Sequence, residues 1–67
     1  MENNEYITTG ELDVLFYEKQ KGKLRNGIAF YWDGFFDAEI LRQAWGLNVE
    51  LVLDGYTNKV KKLTVLE

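Results

Sequence analysis

Lys19, Lys21, Lys23 and Arg25 fall at alternate positions in a stretch that contains no acid. In an extended chain, side chains two residues apart leave the same face, so these cations would project as one row. Such a row suits the successive phosphates of a nucleic-acid strand. It equally suits lysines that guard a sheet edge against aggregation, and a turn at Gly22 would break it. Close by in the chain lie Phe16, Tyr17, Phe30, Tyr31, Trp32, Phe35 and Phe36. Adjacent residues of a strand face opposite sides, so Phe16 and Tyr17, Phe30 and Tyr31, or Phe35 and Phe36 cannot share one core unless both sides are covered. Rings left outside would stack on the bases of a single strand or pack against another protein. In the first case Lys19, Lys21, Lys23 and Arg25 hold phosphates while Tyr17, Tyr31 and Phe35 stack bases. In the second case the exposed aromatics and the acids form a protein interface.

Catalysis fits the residue inventory poorly. The sequence has no His, Cys or Ser, which removes imidazole acid–base chemistry and the commonest nucleophiles. Asp33, Asp37 and Glu39 are close enough in sequence to suggest a carboxylate pair, but such a pair needs a substrate cleft between its members. As turn, cap and solubilising residues they need none. Without thiolate or imidazole ligands no metal site is expected. No two of the glycines are spaced as a phosphate-binding fingerprint requires. The chain is therefore expected to be a binding domain, not an enzyme, with no cofactor and no metal.

The length of 67 residues allows one domain. A domain this small buries only about 60% of its unfolded surface. With no disulfide available, the aromatic residues must supply much of the core, each removing roughly 150–250 Å² from water. The net charge of −3 argues mildly against nucleic acid, while the clustering of bases at 19–25 leaves one basic stripe available. The acidic, polar start of the chain does not resemble a signal peptide, and no apolar run approaches a membrane span. The expectation is a soluble, cytoplasmic monomer without membrane contact. Trp45, beside Gly46, is expected as a core anchor, and Tyr56 as an exposed turn residue.

The elements that would position these groups can be read from periodicity. Residues 1–9 are polar and are expected as a flexible N-terminus, leaving 10–67 as the domain. Alternation over Glu11–Glu18 predicts a strand, with Leu12, Val14 and Phe16 on one side. Lys19–Gly22 reads as a bend and Lys23–Arg25 as a short extended piece. Asn26-Gly27 predicts a type I′ hairpin turn. Ile28–Trp32 follows as a strand of β-formers, Asp33-Gly34 as a second hairpin turn, and Phe35 to about Glu39 as another strand. One or two helical turns are expected after that strand, and Asp37 could cap a longer helix whose stripe is Ile40, Leu41, Ala44 and Trp45, closed by Gly46. Leu47–Leu53 alternates as a strand with Leu47, Val49, Leu51 and Leu53 inward. Asp54–Asn58 is a turn, and Val60–Leu66 the last strand.

Five strands with a helix between the third and fourth is the layout of an OB-fold. On this layout the sequence resembles cold-shock domains. Asn26-Gly27-Ile28-Ala29-Phe30-Tyr31 is similar to the family's first motif, close to Lys-Gly-Phe-Gly-Phe-Ile. Asp33-Gly34-Phe35-Phe36-Asp37 is similar to its second, close to Asp-Val-Phe-Val-His. The resemblance spans residues 10–66 and implies a small, mainly all-β, five-stranded barrel that binds single-stranded RNA or DNA. Asn26 stands where the family has lysine, Ile28 where it has a stacking ring, and Asp37 where it has histidine. These departures bear on ligand binding more than on the fold, which hosts many ligands. The alternative architecture is a four-stranded sheet with a longer packed helix in ββαββ order. The alternative function is a small protein-interaction module, an inhibitor or adaptor of a larger protein.

Overall fold

The computed structural model describes residues 4–66. It is mainly β. The strands are β1 (Glu5–Phe16), β2 (Lys21–Leu24), β3 (Ala29–Tyr31), β4 (Asn48–Asp54) and β5 (Val60–Val65), with one helix, α1 (Ala38–Ala44), between β3 and β4. All five strands form a single antiparallel sheet in the order β3-β2-β1-β4-β5. Among the described residues no ladder joins the two edge strands. One isolated parallel bridge links Tyr31 of β3 to Lys59, the residue just before β5.

β1 is the pivot of the sheet. Residues Glu5–Glu11 pair with β4, and from Leu12 onward the strand pairs with β2. Residues 5–9 therefore belong to the ladder and are not the loose terminus expected of them. Their alternation (Tyr6 packed against the core, Ile7 exposed) is that of a strand covered on one face. Residues 1–3 lie outside the described residues.

The register slips between Leu12 and Val14, where two steps on β1 match a single step on β2. This bulge at Asp13 inverts the alternation that follows. Leu12 is fully buried, Val14 and Phe16 turn outward, and Leu15 packs on the core instead. The expectation that Leu12, Val14 and Phe16 share one side is thus corrected. An inserted residue puts its two neighbours out of phase, and period-2 reasoning carried straight through cannot see it.

The Asn26-Gly27 turn is present but is not type I′. Only Gly27 has positive φ, 98°. The amide of Gly27 donates to the Leu24 carbonyl at 3.0 Å, and that of Leu24 donates to the Ile28 carbonyl at 2.9 Å. This is a three-residue loop with a left-handed glycine at its end. The Asn26 carboxamide oxygen accepts the Ile28 amide at 2.9 Å, and its nitrogen donates to the Thr9 carbonyl at 2.8 Å, tying the loop to β1.

Asp33-Gly34 does not turn one strand into another. The Asp33 carboxylate accepts the Phe35 amide at 3.0 Å, and its carbonyl accepts the Phe36 amide at 3.1 Å. The chain then enters α1 directly, so the expected strand at 35–39 is absent. Asp37 caps the helix by accepting the Glu39 amide at 3.1 Å. Leu41 and Ala44 are its buried face.

The core gathers Leu12, Leu24, Phe30, Trp32, Leu41, Ala44, Val49, Leu51, Leu53 and Val60. The inward line of β4 is as its alternation predicts for Val49, Leu51 and Leu53, all fully buried, whereas Leu47 is exposed. Asn58 clasps the open side of the sheet. Its side chain accepts from the Tyr6 hydroxyl at 2.8 Å and donates to the Ala29 carbonyl at 2.7 Å. Its own carbonyl accepts the Tyr31 amide at 2.9 Å. No helix among the described residues is long and apolar enough to cross a membrane.

Candidate functional site

The outer face of β1, β2 and β3 carries two cross-strand rows. Phe16 lies opposite Lys21, and Lys21 opposite Tyr31. Val14 lies opposite Lys23, and Lys23 opposite Ala29. Directly opposed residues share a face, with β-carbons about 4.5–5.5 Å apart. One lysine is therefore flanked by two rings and the next by two small apolar side chains. Together they line a shallow groove of about 240 Å³. No carboxylate among the described residues lines it.

The opposite face explains why these side chains stay outside. Gly22, between the two lysines, faces the core. A β-carbon there would lie 2.7 Å from the Phe30 ring and 3.0 Å from Leu15. The glycine lets the fully buried Phe30 ring lie directly against the strand. With Leu15, Gly22 and Phe30 inward, Phe16, Lys21 and Tyr31 must be outward. Phe16 is 51% exposed and Tyr31 44%.

The Lys21 ammonium lies 5.9 Å from the centre of the Phe16 ring, within the range of a cation–π attraction. Among the described residues neither Lys21 nor Lys23 makes a salt bridge. An anionic ligand would meet both charges without displacing a carboxylate.

The seven residues singled out from sequence do not all converge here. Lys21, Lys23 and Tyr31 do. Lys19 ends a 3-10 turn, Tyr17–Lys19, and Gln20 after it is left-handed with φ 53°. That reversal takes Lys19 out of the row. Arg25 lies beyond the end of β2 and pairs with Glu11 at 3.1 Å. Tyr17 leaves the strand and packs edge-on against Trp32, with ring centres 6.0 Å apart. Phe35 is 99% exposed on the turn between β3 and α1 and borders a different groove, beside Lys59 and Lys61.

Sequence reasoning missed Phe16 and Val14 as outward-facing members, because the bulge at Asp13 reverses their side. Leu15, an apolar residue in the wrong phase after Leu12, was the one available signal. Trp45 was expected as a core anchor. It is 62% exposed, and its indole N–H donates to the Asp13 carbonyl at 2.8 Å. The bulge supplies that carbonyl. Tyr56 is exposed in its turn, as expected.

Two carboxylates are held below the usual range. The Phe35 amide, with help from the Lys59 ammonium at 3.2 Å, lowers Asp33. The Tyr56 amide, and after it the Thr57 amide, lowers Asp54. Both stabilise turns. Among the described residues no cluster of acids could hold a metal ion. Searches against known protein families, curated proteins and solved structures find no match for the chain.

Proposed function

We propose that the protein is a non-catalytic binding domain for single-stranded RNA or DNA, and that the outer face of β1, β2 and β3 is its binding surface. The observation that carries this reading is the pair of rows, Phe16–Lys21–Tyr31 and Val14–Lys23–Ala29. Exposed rings offer a stacking platform that tolerates any base. Lysines between them meet the phosphates that join those bases. The strand order, with its two edges brought to one parallel bridge, supports an OB-like arrangement of the sheet. The net charge of −3 limits the attraction to this local patch. The domain is read as a cytoplasmic monomer.

The test is salt-dependent binding of a short labelled oligonucleotide, followed by fluorescence anisotropy. Two phosphate contacts on a single strand give a slope of log K against log salt of about −1.4. Lys21→Ala or Lys23→Ala should each reduce that slope by roughly 0.7. Tyr31→Ala should weaken binding by about 1–3 kcal/mol and leave the slope intact. Undetectable binding at low salt would overturn the reading.

One observation favours a second reading. Phe35 is almost fully exposed and stands apart from the lysine groove. An isolated exposed aromatic is the kind of anchor that a protein partner buries. As a protein-interaction module, the domain would capture a stoichiometric partner insensitive to nuclease, and Phe35→Ala would release it.

A further inference from the structure

Building on the nucleic-acid reading above, we propose that the bound strand continues past the three-strand groove onto Trp45 and Arg42, which form a second stacking subsite at the end of α1. The bulge at Asp13 creates the connection. It leaves both Asp13 and Val14 outside the core, and Val14 lines two grooves at once. One is the lysine groove. The other, of about 430 Å³, is lined by Asp13, Val14, Leu15, Tyr17, Arg42 and Trp45. A strand leaving Phe16 along β1 passes over Val14 into this second groove.

Trp45 is built for stacking at that place. Its ring is well exposed, yet the indole N–H is fixed to the Asp13 carbonyl at 2.8 Å. A ring pinned at one edge pays little ordering entropy when a base stacks on its face. Arg42 supplies the positive charge. Its only carboxylate partner among the described residues is Glu39, at 3.8 Å, and both side chains are mostly exposed. An exposed pair of this kind holds weakly, so a phosphate can take the guanidinium. Asp13 and Glu39 make this end less cationic than the lysine groove, and stacking therefore contributes more here than charge.

The experiment uses the full chain and two oligothymidylates, one of about four nucleotides and one of about nine, within the range a small domain of this type accommodates. Trp32 is buried and Trp45 exposed, so quenching of intrinsic fluorescence reports Trp45. The longer oligonucleotide should bind roughly tenfold more tightly, the weight of one stacked base, and should quench Trp45. Trp45→Ala should remove that advantage and leave the shorter oligonucleotide unaffected. Arg42→Gln, which spares the indole contact, should reduce the advantage and lower the salt dependence of the longer one alone. If the longer oligonucleotide binds the wild-type chain, Trp45→Ala and Arg42→Gln alike with no quenching, the second subsite is wrong and the lysine groove stands. If neither length binds at low salt, both readings fall.

Discussion

At the scale of single residues, the turns at Asp33 and Asp54 show how a carboxylate can shape a loop without doing chemistry. The Asp33 carboxylate accepts the Phe35 amide at 3.0 Å, and the Asp54 carboxylate accepts the Tyr56 amide at 2.7 Å and the Thr57 amide at 3.2 Å. Each is held below its ordinary range mainly by that bond. The sign of the consequence follows from linkage. Between the folded value and the unfolded value near 4, the unfolded chain binds more protons than the folded one. The stabilisation is therefore complete above that unfolded value and is lost as pH falls through the folded values. Carbon-detected NMR should show the Asp33 and Asp54 carboxyls titrating below about 3.9. Thermal melting should decline below about pH 4, and Asp54→Ala should remove part of that decline. A midpoint for Asp54 at or above the ordinary value would contradict the amide bonds described.

At the scale of elements, local chemistry was legible and phase was not. The buried line of β4 and the 54–58 turn could be read because each depends on a few adjacent residues, whereas the Asp37 cap stood only as an alternative to the strand expected at 35–39. The five-strand count with a helix after the third was also legible, although the second and third strands lie earlier than expected, at 21–24 and 29–31. The misplacement has one cause. Asp33-Gly34 has the composition of a hairpin turn, but the chain passes from it into α1, whose Leu41 and Ala44 are buried in the core. The bulge at Asp13 was illegible for a different reason, since only the partner strand defines a register slip. That slip decides which of Val14, Leu15 and Phe16 face outward. Gly22 keeps the arrangement in place, and Gly22→Ala should destabilise the fold by about 1–3 kcal/mol, as overpacking does. The added methyl would meet Phe30 and the Val14 carbonyl at 2.7 Å. Urea unfolding measures this, and an unchanged midpoint would mean that β2 does not lie as tightly on Phe30 as described.

For the whole molecule, the sheet covers its core from one side and leaves the reverse of β1, β2 and β3 open. The small core is nonetheless complete: ten buried apolar residues pack together, and none of the described buried side-chain polar atoms lacks a partner. The rings at Phe16 and Tyr31 are therefore not needed to fill it. Their exposure beside Lys21 and Lys23 is the feature on which the functional reading depends, and three separate strands must be in register to create it. Of the residues proposed from sequence, Lys21, Lys23 and Tyr31 lie together on one face because they obey simple alternation within short strands. Lys19, Arg25, Tyr17 and Phe35 fall in turns, where alternation has no force.

The most direct measurement is a two-dimensional amide NMR spectrum of the free chain, repeated at low salt with a short oligothymidylate. The largest shift changes should fall at Val14, Phe16, Lys21, Lys23, Ala29 and Tyr31, across three strands but on one face. An unchanged spectrum, or changes confined to Phe35 and its turn, would contradict the account.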